Sequence, residues 1–185
     1  MGSGRHRNRD DRTAGFTLVE LMITVAIIGV LALLATVGYA RFIRTSKTAE
    51  ATSMLGAIKG AQETYRAEYL RYLDVSAGSL DNFYPAGVPS DSKVAWNPAA
   101  CAGTPVCNGF MQLNVHADSA VYYRYSTVAE AATGAVVTRD GRTFGVANDP
   151  WFIARARGDL NGDGVVSSYW TSSFSTTILS EKPDE

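Results

Sequence analysis

The sequence predicts an α+β protein in which one long N-terminal helix, membrane-spanning in its first half, packs against an antiparallel β-sheet head. An uncharged apolar run occupies residues 21–40, a helical spacing of apolar residues follows it, and short β-like runs separated by turns fill the chain after residue 109. The 185 residues suffice for one head but hardly for two. The predicted segments are a basic leader (1–15), a membrane helix (16–40), an outer helix half (41–72) and the head (73–185).

The charge distribution is informative only at the start of the chain. A formal net charge of −1 gives the molecule no basic field, so nucleic acid is not favoured as a partner. Residues 1–15, however, hold four arginines against two aspartates. Because basic flanks stay in the cytoplasm, we expect the leader there and the rest of the chain on the far side of the membrane.

The apolar run has the length of a membrane helix. Its 20 residues rise by about 1.5 Å each, which spans roughly 30 Å of hydrocarbon. A secretory signal is cleaved after its apolar core, whereas the plausible processing site here, at Gly15, precedes it. We therefore expect the apolar segment to be retained in the mature protein.

The string Gly15-Phe16-Thr17-Leu18-Val19-Glu20, followed directly by the apolar run, closely resembles the class III signal of type IV prepilins and type II secretion pseudopilins. The resemblance implies that a membrane aspartyl peptidase cuts after Gly15 and that the new N-terminal residue, Phe16, is N-methylated. It also implies that the segment 16–40 is the polymerisation helix and that residues 41–72 lie in the periplasm.

Glu20 is unusual because a carboxylate within a membrane helix costs about 2.5 to 3.5 kcal/mol at the bilayer centre, and less near the interface. After cleavage, the amine of Phe16 would lie about one helical turn away and could pair with it. The resemblance implies that Glu20 attracts the N-terminal amine of an incoming subunit and so sets the axial register of assembly. The alternative is a carboxylate solvated among the lipid headgroups.

The helical pattern continues to about residue 72, so the sequence predicts one helix over 16–72. Type IV pilins commonly carry a proline about a third of the way along this helix, where this chain has Val37 and Gly38, so any kink must come from Gly29 or Gly38. One stripe is predicted to be core: Met54, Ile58, Ala61, Tyr65 and Tyr69. The charged residues are expected to face water or neighbouring subunits: Lys47, Glu50, Lys59, Glu63 and Arg66.

The stretch 73–109 is rich in glycine and proline and is predicted to be a loop region. It contains both cysteines, Cys101 and Cys107, whose proximity suggests a disulfide formed in an oxidising compartment. Two free thiols are the alternative. A metal site is disfavoured because no histidine or third cysteine lies nearby.

The sequence of the rest of the head is typical of β-structure. Turn signals at Asp140-Gly141 and at 161–164 favour antiparallel hairpins. The predicted strands cover 110–115, 121–128, 143–147, 151–157, 165–171 and 174–179.

The acidic turn Asp159-Leu160-Asn161-Gly162-Asp163-Gly164 matches the first half of a calcium loop. Position twelve of that loop should be a bidentate glutamate, but it is Trp170, which excludes an EF-hand. Two readings stay open. Asp159, Asn161 and Asp163 could bind calcium with help from another loop, as in pseudopilin heads, or the segment is a tight turn with solvated carboxylates.

Nothing in the sequence predicts catalysis. The two histidines are His6, which lies in the leader, and His116, so a histidine-based triad would depend on His116 alone. A group of aromatic residues could form a binding face, but most of it is expected in the core: Tyr122, Tyr123, Tyr125, Trp151, Tyr169 and Trp170. No small-molecule substrate is expected.

The resemblance implies a subunit, major or minor, of a type IV pilus that serves motility or adhesion. The expected partners are other pilins, the prepilin peptidase, the pilus assembly platform and the inner membrane, from which the protein would pass into an extracellular filament. The alternatives are a pseudopilin of type II secretion and a pilin-like tip protein whose head binds a surface, a polysaccharide or DNA.

Overall fold

The computed structural model describes residues 15–97, 101 and 104–183. The predicted leader, except for Gly15, lies outside the described residues. The chain forms a long helix, a short helix and six strands, which confirms the α+β class. The elements are α1 (Leu18–Tyr69), α2 (Pro105–Gln112), β1 (Arg124–Glu130), β2 (Val136–Arg139), β3 (Arg142–Val146), β4 (Trp151–Gly158), β5 (Ser167–Ser172) and β6 (Ser175–Glu181).

Helix α1 has 52 residues, and its helical conformation is unbroken through Gly29 and Gly38. It is two residues shorter at its start and three shorter at its end than the predicted range 16–72. It ends where Leu70 adopts a left-handed conformation with φ 58° and donates its backbone N–H to the carbonyl of Arg66 at 2.8 Å. This is a common way to satisfy the last carbonyls of a helix.

Two compact units divide the chain, Met1–Phe42 and Ile43–Glu185. In the first unit, Leu18–Thr36 is 19 residues long with a mean hydropathy of 2.7, and none of it is buried. By length and composition it can cross a membrane.

The second unit is built on a four-stranded antiparallel sheet with the order β1-β4-β5-β6. Side chains alternate across a strand, so this sheet has two apolar faces. One face, including Tyr125, Phe152 and Ala154, packs in the main core with Leu55 and Ile58 of α1. The opposite face carries a smaller cluster that includes Val128, Ile153 and Trp170.

Strands β2 and β3 form a separate two-stranded sheet, called here the ribbon. They meet at the predicted turn, where Asp140 and Gly141 have φ angles of 49° and 74°. Consecutive positive φ angles are those of a tight hairpin turn that matches the twist of its strands. The ribbon packs its inward side chains, Val137 and Phe144, into the smaller cluster.

The predicted strand at 110–115 is wrong, because residues 110–112 form the end of helix α2 and residues 113–115 belong to no strand. Thr104 is the N-cap residue of α2 and has an extended backbone, although its side chain makes no capping hydrogen bond. Pro105 occupies the first turn, where a proline costs no hydrogen bond. The face of Val106, Cys107 and Phe110 is buried, which fixes the helix against the core. The other predicted strands exist with ends shifted by a few residues, and strand β2 was not predicted.

The charged residues of the outer helix half do not all face water, contrary to the prediction. Lys47 donates to the carbonyl of Leu160 at 3.3 Å, and Lys59 donates to the carbonyl of Ser172 at 3.0 Å. Glu50 accepts hydrogen bonds from the start of the β1 region. Backbone groups at strand ends need partners, and these long side chains supply them.

Candidate functional site: the N-terminal segment

The predicted processing site is exposed and lies outside the helix. Residues Gly15, Phe16 and Thr17 have no regular secondary structure, and Phe16 is 84% exposed. Among the described residues, a Cβ atom added at Gly15 would meet nothing within 4 Å. The described part of the fold therefore leaves room for a side chain at residue 15.

Glu20 and Thr17 form a reciprocal cap at the start of α1. The Thr17 hydroxyl accepts the backbone N–H of Glu20 at 3.2 Å, and the Glu20 carboxylate accepts the backbone N–H of Thr17 at 3.5 Å. This capping box satisfies two donors that the first helical turn leaves open. Glu20 also places a negative charge at the positive end of the helix dipole. The side chain of Glu20 is exposed, so a positively charged group of another molecule can still reach its carboxylate.

The outward face of the second helix half is made of small residues. Thr52, Gly56, Gly60 and Thr64 are exposed and follow one another at intervals of four, which places them in one row along the helix. A Cβ atom at Gly56 or Gly60 would meet nothing within 4 Å. Small residues at this spacing allow another helix to approach closely.

Glu50 makes contacts with the head that the sequence reasoning missed. Its Oε1 atom accepts the backbone N–H groups of Tyr122 at 2.8 Å and Tyr123 at 3.2 Å, and the hydroxyl of Tyr125 at 3.4 Å. Burial, followed by the charge of Glu50, raises the pKa of Tyr125 well above its ordinary value. A signal was present, because Glu50 precedes Met54 and Ile58 at intervals of four and so shares the buried face.

The acidic turn satisfies its own backbone. Asp159 is 4% exposed and accepts the backbone N–H groups of Gly162 at 2.7 Å and Gly164 at 3.0 Å. Asn161 and Asp163 are exposed and hydrogen-bonded to each other at 3.0 Å. In the described part of the chain, no three histidine, cysteine, aspartate or glutamate residues are grouped so that they could hold a metal ion. Calcium binding by Asp159, Asn161 and Asp163 stays a prediction.

The remaining candidate residues belong to the head. Cys101 and Cys107 are joined by a disulfide, and both are buried in the main core. His116 is exposed and lies 3.8 Å from a carboxylate oxygen of Asp118. Of the six aromatic residues, Tyr122 is partly buried and the other five are buried, so they do not form an exposed binding face.

Residues 10–36 match the family model described as the prokaryotic N-terminal methylation motif. The chain is 48% identical over 63 residues to the type IV major pilin protein PilA of Myxococcus xanthus (strain DK1622), covering 34% of this chain and 29% of that protein. It is 44% identical over 54 residues to the fimbrial protein EcpC of Eikenella corrodens, covering 29% of this chain and 35% of that protein.

A longer match joins the chain to a type IV major fimbrial protein FimA of Dichelobacter nodosus, with 33% identity over 96 residues. It covers 51% of this chain and 55% of that protein. The matches thus span from about a third to about half of the relatives' length. The resemblance to type IV pilins is confirmed.

Proposed function

We propose that this chain, which carries the N-terminal segment of a type IV pilin, is a type IV pilus subunit. The observation that carries the proposal is the methylation motif, which covers Gly15, Phe16 and Glu20 and continues into an exposed apolar helix. One relative is named a type IV major pilin protein and another a type IV major fimbrial protein. The exposed apolar side chains of α1 would be covered by lipid before assembly and by other subunits afterwards.

The proposed sequence of events follows from the N-terminal segment. The basic leader stays in the cytoplasm, and a prepilin peptidase cuts between Gly15 and Phe16 and methylates the new amine. The assembly platform then moves the subunit from the inner membrane into a filament, where Glu20 pairs with a neighbouring N-terminal amine. The role is structural, with no substrate and no catalysis.

The first prediction concerns processing. Replacing Gly15 with leucine should leave the leader attached, because the peptidase would meet a bulky side chain at its cleavage subsite. Intact mass spectrometry of the membrane fraction measures the result. Gly29→Leu is the matched control, since Gly29 is an open helical position where a Cβ atom also meets nothing within 4 Å. Normal cleavage of Gly15→Leu would contradict the class III assignment.

The second prediction concerns assembly. Glu20→Ala should be cleaved and inserted normally but should yield few filaments, because the charge that pairs with the amine is lost. Glu20→Gln separates two roles, since its amide oxygen can still accept the N–H of Thr17 but carries no charge. Filaments are counted by electron microscopy after shearing. If Glu20→Gln assembled like the unchanged protein, Glu20 would serve to cap helix α1 and its charge would not set the axial register of the filament.

Abundance in the filament discriminates the alternatives. Filaments sheared from the cell surface and analysed by mass spectrometry should contain the peptide that begins with methylated Phe16. A dominant amount would indicate a major pilin, and a trace amount would indicate a minor or tip subunit. Absence from surface filaments would overturn the proposal in favour of a pseudopilin of type II secretion.

A further inference from the structure

The ribbon is attached to the four-stranded sheet through side chains. Its strands β2 and β3 pair with each other and with no other described strand. The backbone hydrogen bonds at its base also close within it, from Thr133 and Gly134 to the carbonyl of Ala147 and from Ala147 to the carbonyl of Ala135. Over the described residues, no backbone hydrogen bond joins the ribbon to β1, β4, β5 or β6.

Three ion pairs hold the tip of the ribbon. Arg139 pairs with Glu130 at the end of β1, Asp140 pairs with Arg155 of β4, and Arg142 pairs with Glu181 at the end of β6 at 3.5 Å. All three ribbon residues flank or form the hairpin turn, while their partners lie on three different strands. The tip is therefore latched to the sheet by charge at three points.

Beneath the ribbon, three buried N–H groups lack a hydrogen-bond acceptor. The indole N–H groups of Trp151 and Trp170 and the Nε–H of Arg155 are buried without a hydrogen-bond acceptor. Arg139 and Arg142 lie over the rings of Trp151 and Trp170, with guanidinium carbons 5.2 and 5.8 Å from the ring centres. Buried donors without acceptors favour any state in which water reaches them.

Apolar contact from the ribbon is limited. Within its strands, Val137 and Phe144 are the side chains that join the smaller cluster. Val136 and Val146, which pair across the ribbon, point outward and are exposed. With Ala147 at its base, the ribbon contributes three apolar side chains to the smaller cluster, which gives it low local stability compared with the main core.

We propose that the ribbon is a flap that opens as a unit while the four-stranded sheet stays folded. The flap turns about the two connections to the sheet, residues 131–132 and 148–150, and its tip is released when the three ion pairs break. Opening uncovers Trp151, Ile153 and Trp170 on the outer face of the sheet. This conformational device does not depend on the proposed function in a pilus.

Hydrogen exchange of the full-length chain in detergent micelles, read by mass spectrometry, tests the flap. Protection factors of peptides within 136–146 are compared with those of β4, residues 151–158. The ribbon should be protected at least roughly tenfold less than β4, because local opening needs less free energy than global unfolding. Equal protection of the two regions would overturn the proposal.

The double variant Glu130→Gln, Glu181→Gln removes the acidic partners of two of the three ion pairs, both at partly exposed positions. The rate of hydrogen exchange in the ribbon should rise by roughly two- to tenfold, because each exposed ion pair contributes little to stability. The exchange rate of β4 should not change. High salt should produce the same selective rise in the unchanged protein, because it screens these pairs. Asp118→Asn is the control, since it removes an acidic residue that pairs with His116.

A wedge variant tests the flap without changing charge. A Cβ atom at Gly145 would lie 2.8 Å from Cδ1 of Phe174, so Gly145→Ala should push the ribbon away from the sheet. Exchange of the ribbon should rise while that of β4 is kept. A matching rise in β4 in either variant would show one cooperative unit and would overturn the proposal.

Discussion

At Glu50, a charged helix residue that the sequence placed toward water takes three hydrogen bonds from the head. Sequence reasoning assigns charged residues to the surface because burying an unpaired charge is costly, and Lys47 and Lys59 were misplaced for the same reason. The cost disappears when each charge meets a backbone group left open at a strand end. Those groups come from residues about 70 to 110 positions away, so local spacing can place Glu50 on the buried face but cannot identify its partners.

A residue-scale prediction follows for alkaline pH. Burial raises the pKa values of Tyr123 and Tyr125 in the folded head. In the unfolded chain both phenols ionise near pH 10. Their contribution to stability is therefore fully present below about pH 10 and is lost as pH rises toward the folded pKa values. The slope is about 1.4 kcal/mol per pH unit for each tyrosine.

Urea unfolding between neutral pH and pH 11 measures this effect, with tyrosinate absorbance as a second readout. Tyr123→Phe removes one of the phenols whose pKa is raised and should reduce the slope by about 1.4 kcal/mol per pH unit. If the free energy of unfolding fell with pH equally steeply with and without Tyr123, a raised pKa of this phenol would be contradicted. Ionisation of both phenols in the folded state near their ordinary pKa would contradict it as well.

Among the elements, those with a strong local pattern were predicted and those fixed by distant contacts were not. The apolar run and the spacing of Met54, Ile58 and Tyr65 predicted α1. The Asp140-Gly141 turn and the strand after it were predicted, but strand β2 before the turn was not. Helix α2 was missed because eight residues carry too little periodicity to outweigh the β-like run after residue 109. The capping role of Glu20 was not foreseen, although its spacing from Thr17 matches a capping box.

An element-scale prediction concerns the small residues on the outward face of α1. If other subunits pack there, Gly60→Leu should reduce filament yield at least roughly tenfold, because a bulky side chain keeps helices apart. Gly60→Ala should assemble better than Gly60→Leu and should stabilise the helix by up to about 1 kcal/mol. Filament yield after shearing and thermal unfolding of the subunit are the two measurements.

The head itself should not be affected, because a Cβ atom at residue 60 meets nothing within 4 Å. Ala95→Leu, on an exposed loop position outside the helix, is the control for added apolar surface. If Gly60→Leu gave as many filaments as the unchanged protein, subunits would not pack against this face of α1 in the filament.

For the molecule as a whole, the structure divides into two compact units, of which the second runs from Ile43 to Glu185. The predicted boundary between residues 40 and 41 lies two residues before this division. Both apolar clusters and the disulfide lie within this unit. Helix α1 is shared by both units, so the boundary cannot be seen as a break in secondary structure.

A fragment that begins at Ile43 should therefore fold without the apolar helix half. We expect a circular dichroism spectrum with both helix and strand content and a single cooperative thermal transition. A fragment that begins at Thr64 lacks Leu55 and Ile58, which are fully buried, and should not fold. A fragment from Ile43 without a cooperative transition would mean that the head requires the first unit.

The cap formed by Thr17 and Glu20 affects how a protease can reach the chain. Proteases bind substrates in extended form, and a scissile bond inside a helix has to be unwound first. Here the bond between Gly15 and Phe16 already lies outside the hydrogen-bonded turns, because the cap fixes the first turn just beyond it. If a prepilin peptidase cuts this bond, as proposed above, the cut needs no unwinding of helix α1.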